Sequence, residues 1–304
     1  MSDKKPSSLL ACEILWDCVG DKPPLLGGAT LNVAYHLNKL GCKTIPVSSV
    51  GSDQLGDHSL RVIKNEWGCD ISEIEVLKDV NTGIVNVNIN TEGDATYVIH
   101  SPAAWDYINV KPSAKNLECE AFIYGSVALR STYNQKSFEN FLKIYQGFKC
   151  FDVNLREGQN DIAVVCKFMQ SADFIKLNED ELSKIATFLG LKSGSTEGLI
   201  LSLIEATGNK IICTTRGNKY PVLYWKGNLY RGKVVSVNVN NTIGAGDAFF
   251  SSMIHSLISS DFEPVLALYK ASELGSWVAT KKGAQPEYDD YILKRLLNHE
   301  ALQQ

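Results

Sequence analysis

The fold of this chain is limited above all by short apolar runs that alternate with stretches long enough to form a helix. Such runs lie at 121–124, 172–177 and 210–214. Strands buried on both faces have this pattern, because helices cover both sides of a parallel sheet. The segment 32–40 has apolar residues at helical spacing and is followed by Gly41, which suits the left-handed position after a helix. The pattern predicts an α/β fold with a mainly parallel sheet covered on both faces.

Charge and hydropathy exclude several classes of function. The 304 residues carry 30 Lys+Arg against 34 Asp+Glu, a net charge of -4, so the chain offers no strongly basic surface to nucleic acid or to an anionic membrane. No apolar run reaches the roughly 18 residues typical of a transmembrane helix. We therefore expect no nucleic-acid partner and no membrane association.

Cysteine usage indicates the compartment. Eight cysteines are scattered along the chain without a C-x-x-C pair and without a histidine at zinc-ligand spacing. We expect reduced, structural thiols in a cytoplasmic protein. The polar segment 1–8, which no long apolar run follows, predicts neither a secretory signal nor a targeting helix.

One segment differs from the buried runs because apolar and polar residues alternate strictly in it. The alternation runs from Val85 to Asn90, breaks at the turn 91–94 and resumes over 95–99. This pattern predicts a β-hairpin with one polar face. Three asparagines lie on that face, although Asn is a poor strand former. Two interpretations stay open: a solvated antiparallel sheet, or a lid whose polar face meets a hydroxyl-rich ligand.

The segment 241–250, N-T-I-G-A-G-D-A-F-F, points most directly to chemistry. Apolar residues recur at helical spacing after Asp247, so Gly244 to Gly246 form the loop that opens a helix. Small residues let backbone N–H groups approach an anion, and the helix dipole favours negative charge there. An aspartate beside a bound phosphate is repelled unless it has a task, such as accepting the proton of an attacking hydroxyl. The alternative is that Asp247 only favours the dipole of its own helix.

The chain resembles the ribokinase-like, pfkB-type carbohydrate kinases, and within that family it is most similar to fructokinases. The C-terminal family signature is matched by 241–247 with the helix after it, and the N-terminal signature by 27–34. Shorter matches occur between them in the family's order and spacing: Val50-Gly51-Ser52-Asp53 with Gly56, Thr82-Gly83, Ala104-Trp105-Asp106, 151–156 and 176–181. The resemblance runs nearly from end to end.

The resemblance implies a fold and a reaction. The implied fold is a single α/β domain over 1–304, ribokinase-like and three-layered, with a mainly parallel sheet between helices and a small β-sheet lid from roughly 14–28 and 82–108. The implied reaction is the ATP-dependent phosphorylation of a sugar hydroxyl with Mg²⁺, in which Asp247 stands at the position of the general base. The anion hole is implied at Gly244, Ala245 and Gly246.

On the sugar side, the resemblance implies contacts from both charged and small residues. Asp17 matches an acid that accepts hydrogen bonds from sugar hydroxyls, and Gly28 and Asn32 match further contacts. Arg156 matches the arginine of a D-x-N-x-R stretch that reaches towards the substrate in fructokinase-like and ketodeoxygluconate-kinase-like members; a surface salt bridge is the alternative. The hairpin then corresponds to the lid, which favours the interpretation that its polar face meets the ligand.

On the nucleotide side, the implied contacts are Asn178, Thr215, Gly217, Gly244, Gly246 and Gly283. Asn178 and Glu181 match an N-x-x-E element associated with Mg²⁺ and phosphate placement. The same spacing forms a helix capping box, and Glu181 can hold waters of the Mg²⁺ shell as well as cap. Asn241 stands where most members have an Asp that helps to bind a monovalent cation. An amide oxygen is a weaker ligand than a carboxylate, which weakens the expectation of K⁺ activation.

The leading hypothesis is an ATP-dependent fructokinase that forms fructose 6-phosphate. Within the same class, 2-keto-3-deoxygluconate and ribose are competing substrates, and a nucleoside fits the Asn-rich hairpin less well. From another class, a sugar- or nucleotide-binding protein that has lost turnover would have the same fold. The expected partners are a small sugar and ATP. We also expect a homodimer, because the lids of related kinases pair across a two-fold axis.

Overall fold

The computed structural model of the chain describes residues 5–20, 23–89, 95–156, 158–259 and 262–297. The strands are β1 Ser7–Ala11, β2 Leu15–Val19, β3 Leu25–Gly27, β4 Lys43–Gly51, β5 Glu73–Leu77, β6 Gly83–Ile89, β7 Ala95–Ile99, β8 Ala121–Gly125, β9 Phe148–Asp152, β10 Phe174–Asn178, β11 Ile211–Arg216, β12 Lys219–Trp225 and β13 Asn228–Arg231. The α-helices are α1 Ala29–Lys39, α2 Gln54–Arg61, α3 Ala114–Leu117, α4 Thr132–Ile144, α5 Ile162–Met169, α6 Glu179–Phe188, α7 Thr196–Thr207, α8 Ala245–Leu257, α9 Pro264–Ala279 and α10 Asp290–Leu297.

The larger sheet has nine strands in the order β13-β12-β11-β10-β9-β8-β1-β4-β5. Every neighbouring pair from β11 to β5 is parallel, and only β12 and β13 at one edge run antiparallel. The three apolar runs of the sequence form β8, β10 and β11. The predicted α/β class with a mainly parallel sheet is therefore confirmed.

The two faces of this sheet pack into two separate hydrophobic clusters. On β8, Phe122 and Tyr124 belong to one cluster, whereas Ile123 between them belongs to the other. All three side chains are fully buried. Successive side chains of a strand point to opposite faces, so helices cover the sheet on both sides and form the two outer layers.

The smaller sheet has four strands in the order β3-β2-β6-β7 and comes from the early part of the chain. The hairpin predicted from the alternating segment is the antiparallel pair β6 and β7; its turn, 91–94, lies outside the described residues. One face packs against the body, where Leu15, Val85 and Ile99 contact Trp105 and Val127.

The cysteine side chains are unpaired thiols, as the sequence analysis expected. All eight cysteines are free, and all but Cys18 are buried. Among the helices that the structure describes, none combines the length and the apolar character that crossing a membrane requires. Among the same residues, no group of three or more His, Cys, Asp or Glu side chains is arranged to hold a metal ion.

Candidate active site

The first turn of α8 lies at the edge of the large sheet where the parallel strands end. Gly244 precedes the helix with a φ of 77°, and a Cβ there would lie 2.5 Å from the Cβ of Ala284, so only glycine fits. No side chain of the described residues caps this helix. The N–H of Ala245 donates to the carbonyl of Thr242 at 3.3 Å, while those of Gly246 and Asp247 have no partner among the described residues. The turn leaves backbone donors open to an anion.

Asp247 is held in that turn by a side chain from the other end of the chain. Its Oδ2 accepts a hydrogen bond of 2.7 Å from Nδ2 of Asn32 in α1. Burial, together with the charge of Asp152, raises the pKa of Asp247 to about 6, and Asn32, Lys176 and Arg156 oppose that rise. A carboxylate with this pKa accepts protons better than an exposed aspartate does at neutral pH.

Asn32 is itself fixed by Gln285, which the sequence analysis did not single out. Nε2 of Gln285 donates to Oδ1 of Asn32 and, at 3.0 Å, to the carbonyl of Leu26. Both atoms of the buried Asn32 amide are therefore engaged. Nothing in the sequence near Gln285 marks it, because its partner lies 253 residues earlier.

Gly28 opens α1 and is required by its surroundings. Its φ is 127°, and a Cβ would lie 1.9 Å from the carbonyl oxygen of Glu13. The Glu13 carboxylate lies beside the same turn, where Oε1 accepts from the N–H of Thr30 at 3.2 Å. Burial raises the pKa of Glu13 to about 7. Glu13 thus caps α1 from outside the helix and fixes the turn that leads to Asn32.

Asp17 lies on β2, on the face of the small sheet that turns towards the body. Its neighbour across the sheet is Val85, which belongs to the cluster packed against Trp105. Burial raises the pKa of Asp17 to about 6, and the charge of Arg156 partly offsets the rise. Arg156 is exposed and forms no ion pair within the described part of the chain; its Nη1 donates to the carbonyl of Leu155 at 3.2 Å. The guanidinium thus lies within electrostatic reach of both Asp17 and Asp247.

The polar face of the hairpin does not share the face of Asp17. Asn86 pairs with Cys18 across β2 and β6, one position further along than Asp17 and Val85, so it points to the opposite face. Its side chain is exposed, and Nδ2 lies 2.8 Å from Nε2 of His100. The expectation that the asparagine face meets the ligand stays a prediction, but Asn86 does not lie on the same face as Asp17. Alternation shows that two faces differ, but not which of them packs on the body.

The N-x-x-E element begins α6 as a complete capping box. Oδ1 of Asn178 accepts from the N–H of Glu181 at 2.8 Å, and Oε2 of Glu181 accepts from the N–H of Asn178 at 2.8 Å. Oε1 of Glu181 accepts from the N–H of Leu155 at 2.9 Å. Each carboxylate oxygen is already an acceptor, so Glu181 has only its remaining lone pairs for a water molecule.

The expected nucleotide-side residues fall into two groups. Thr215 on β11 is paired in register with Asn178 on β10, and Gly217 follows in an exposed turn with a φ of 59°. Gly283, with a φ of 79°, directly precedes the Ala284 that packs on Gly244. The fold brings one group to the capping box and the other to the first turn of α8.

Asn241 is engaged within the loop that leads to α8. Its Oδ1 accepts from the N–H of Ile243 at 2.9 Å, and its Nδ2 donates to the carbonyl of Lys281 at 3.1 Å. One lone pair of the amide oxygen remains for a cation. The side chain therefore shapes the loop whether or not a cation binds.

Comparison with known proteins assigns the family. The model of the pfkB family carbohydrate kinases matches residues 25–290. The chain belongs to the pfkB family of carbohydrate kinases. It is 30% identical over 276 residues to a fructokinase of Vibrio alginolyticus, which covers 85% of this chain and 86% of the relative. As a carbohydrate kinase it transfers a phosphoryl group to a hydroxyl of a sugar.

Solved structures of sugar kinases share the fold of this carbohydrate kinase. A fructokinase of Xylella fastidiosa with bound ATP superposes with a TM-score of 0.82 at 21% identity, over 91% of this chain and 94% of that one. A 2-dehydro-3-deoxygluconokinase of Thermotoga maritima gives a TM-score of 0.83 at 16% identity, over 96% and 99% of the two chains. These likenesses support the ribokinase-like fold, and both kinds of kinase have it.

Four residues near the site of this kinase had no role in the sequence analysis: Glu13, Asp152, Lys176 and Gln285. Two of them, Asp152 and Lys176, lie inside segments that match the family, and both are buried charged residues, as is Glu13. Burial of a charge requires a partner, but the sequence does not show burial of single residues. Only the fold brings these side chains beside α1 and α8.

Proposed function

We propose that this carbohydrate kinase transfers the terminal phosphoryl group of ATP to fructose and forms fructose 6-phosphate. The observation that carries the proposal is the first turn of α8. There a carboxylate, Asp247, with a raised pKa adjoins backbone N–H groups that no side chain caps. A base beside an open anion site is the arrangement that phosphoryl transfer from a nucleotide to a hydroxyl needs.

In this proposal Asp247 accepts the proton of the attacking hydroxyl. The hydrogen bond from Asn32 fixes one carboxylate oxygen and leaves Oδ1 to face the substrate. As the bond from the sugar oxygen to phosphorus forms, the bond from phosphorus to the leaving oxygen of ADP breaks and the proton moves to Asp247. The open N–H groups of Gly246 and Asp247 stabilise the negative charge of the group in transfer.

The sugar lies between the small sheet and the first turns of α1 and α8. Asp17 accepts hydrogen bonds from the hydroxyl groups of the sugar, and Gly28 lets the backbone of α1 come close to it. Asn32 has both amide atoms engaged, so its main task is to hold Asp247. The nucleotide lies beyond α8, along Asn178, Thr215, Gly217 and Gly283.

The donor set fits a hydrated Mg²⁺ held through water. Glu181 accepts backbone hydrogen bonds with both oxygens, so a water of the ion's shell is a better match for its free lone pairs than the ion itself. When bound with ATP, Mg²⁺ neutralises charge on the phosphates. At Asn241 a cation would meet one amide oxygen, so we expect little difference between rates in Na⁺, K⁺ and Tris buffers.

A second substrate, 2-keto-3-deoxygluconate, is favoured by one observation. The guanidinium of Arg156 is exposed, has no ion-pair partner among the described residues and acts electrostatically on Asp17. A sugar acid carries a carboxylate that would pair with this group, whereas fructose does not. Replacing Arg156 by Met would then raise KM for the sugar acid about 10- to 100-fold and leave KM for fructose nearly unchanged.

We also propose that the enzyme is cytoplasmic and forms a homodimer. The two small sheets would pair through the face that carries Asn86 and Val98, opposite the face of Asp17. Val98 is 50% exposed. The eight free thiols fit a reducing compartment. Sedimentation would report a dimer that Val98→Asp dissociates, and a monomeric wild-type chain would contradict the pairing.

The test is ADP formation with Mg-ATP over fructose, ribose, 2-keto-3-deoxygluconate and adenosine. Fructose is expected to give the highest kcat/KM, and the Asp247→Asn variant should give almost no sugar-dependent ADP. If none of the four substrates gave substrate-dependent ADP formation, the proposed function would be refuted. Undiminished turnover in Asp247→Asn would refute the base assignment alone.

A further inference from the structure

A buried ion pair lies beneath the first turn of α8. Lys176 on β10 and Asp152 at the end of β9 are register partners across the parallel strands. The ammonium nitrogen lies 3.1 Å from Oδ1 of Asp152, and the two residues are 6% and 3% exposed. Burying two charges costs about as much as their attraction returns, so such a pair is weak evidence of a stabilising role. Another role is therefore worth seeking.

The ammonium group of Lys176 is directed at the open turn. A Cβ added to Gly246 would lie 3.3 Å from Nζ and 4.0 Å from Cε of Lys176. Gly246 has no positive φ, so its lack of a side chain provides space rather than an unusual backbone conformation. A cation beside a helix N-terminus is repelled by the helix dipole. An anion bound between the ammonium group and the helix N-terminus would interact favourably with both.

Lys176 remains charged at this position. Burial alone lowers the pKa of Lys176, but the carboxylates of Asp152, Glu181 and Asp247 outweigh burial and raise it. Among the described residues the ammonium, which has three N–H donors, meets only one hydrogen-bond acceptor, Oδ1 of Asp152. Oδ2 of Asp152 is buried and has no hydrogen-bond partner there. The pair thus keeps free hydrogen-bonding capacity next to the open N–H groups.

We propose that Lys176 donates a hydrogen bond to an oxygen of the phosphoryl group while it passes from ATP to the sugar, and that Asp152 is the positioning residue that orients its ammonium. The inference rests on the proposed function. Lys176 keeps its proton throughout, because Asp247 receives the proton of the sugar hydroxyl. The positive charge offsets negative charge that builds up on the phosphoryl oxygens, and the N–H groups of α8 act on the same group.

The first experiment compares Lys176→Met, Asp152→Asn and the double variant. Lys176→Met is expected to lower kcat about 100- to 1,000-fold, with KM for the sugar changed less than about threefold. The double variant removes both charges of the buried pair together, so it should fold like the wild type yet stay as slow as Lys176→Met. Asp152→Asn should lower kcat about tenfold, because the ammonium stays but loses its orientation. Lys210→Met is the control, since Lys210 is exposed and lies 3.7 Å from Asp173 at the far end of the strands.

The second experiment measures binding without turnover. Calorimetry with ADP alone, and with ADP plus aluminium fluoride as a mimic of the phosphoryl group, is run on the wild type and the double variant. The double variant should bind the mimic about 100-fold more weakly while its affinity for ADP is nearly kept. Equal losses for both ligands, or a double variant with wild-type kcat, would make the pair purely structural and overturn the inference. A wild type inactive on every sugar would defeat the proposed function instead, and the calorimetry would still decide the role of Lys176.

Discussion

Helices α6 and α8 begin at the same edge of the large sheet, and their N-termini are capped differently. At α6 the side chains of Asn178 and Glu181 reciprocally cap the backbone N–H groups. At α8 the preceding residue is Gly244. Among the described residues no side chain caps this turn, and the N–H groups of Gly246 and Asp247 have no partner. The dipole is the same in both, so the residue at the N-cap decides which helix end is closed and which can bind an anion.

The carboxylates of the two turns differ in the same way. Both oxygens of Glu181 already accept backbone N–H groups. Asp247 is held at Oδ2 by Asn32, and its Oδ1 has no hydrogen-bond partner in the described part of the chain. An acidic residue in a first turn is therefore structural or chemical according to what its oxygens contact. Substitutions in and beside α6 and α8 test this contrast.

The largest difference is expected between Asp247→Asn and Asp180→Asn, which make the same change in the first turns of α8 and α6. Removing the base should lower kcat about 1,000-fold, whereas the exposed Asp180 should leave kcat within about twofold. Steady-state ADP formation with fructose measures both. Comparable kcat values for the two variants would contradict the proposed difference between the first turns of α8 and α6.

The next effect is that of a methyl group at Gly244. Gly244→Ala places an alanine at a positive φ, and its Cβ would lie 2.5 Å from the Cβ of Ala284. Because strain and clash add, we expect a loss of about 2–4 kcal/mol in the free energy of unfolding. Gly190→Ala, just after α6, has a φ of 70° and open space around it. It should cost only about 1–2 kcal/mol from strain. Urea unfolding followed by circular dichroism compares them, and a costlier Gly190→Ala would show that packing against Ala284 is unimportant.

The third prediction concerns the dependence of kcat/KM on pH. Asp247, with a pKa of about 6, must be ionised to accept a proton, so kcat/KM should fall about tenfold per pH unit below that value. Because the charge of Asp152 raises this pKa and that of Lys176 lowers it, Asp152→Asn should move the acid limb to lower pH and Lys176→Met to higher pH. Rate profiles of the three proteins measure the limb, and shifts in the same direction for both variants would contradict the charge assignment.

The smallest effect concerns the closed turn. Asn178→Ala removes the cap of α6 and should cost about 1 kcal/mol of stability, while Asn178→Ser keeps an acceptor and should cost only a few tenths. Denaturant titration separates the two. If the alanine variant were as stable as the serine variant, the capping box would contribute nothing measurable.

Periodicity predicted the large-scale fold because it reflects burial of whole elements. The runs that became β8, β10 and β11 are mostly apolar, and only a doubly covered strand buries both faces. The glycine-rich turn could be located for a similar reason, because the change to helical spacing after Asp247 marks where α8 begins. The roles of Asp17, Asn32 and Asp247 came from family resemblance. The structure joins Asn32 to Asp247 by a hydrogen bond, and the charge of Arg156 acts on both Asp17 and Asp247.

Features that depend on two distant segments escaped the sequence. Lys176 and Asp152 are ordinary charged residues until adjacent strands bury them side by side. Gln285 acquires a role only when it reaches Asn32. The hairpin teaches the same lesson, since alternation identified its two faces and the register with β2 was needed to place Asn86 away from Asp17. Tertiary neighbours, not local propensity, decide such cases.

The contacts of α1 with the late part of the chain have a consequence for synthesis on the ribosome. Tyr35 donates to the carbonyl of Pro286 at 2.7 Å across 251 residues, and the ring of His36 meets the carbonyl of Ala284 at 3.0 Å. At about 5–20 residues per second, translation needs roughly 12–50 s to pass from one partner to the other. During that interval α1 lacks its contacts with the late segment, and the proposed sugar site lacks its base. A growing chain therefore needs protection of α1, and no catalysis starts before translation nears its end.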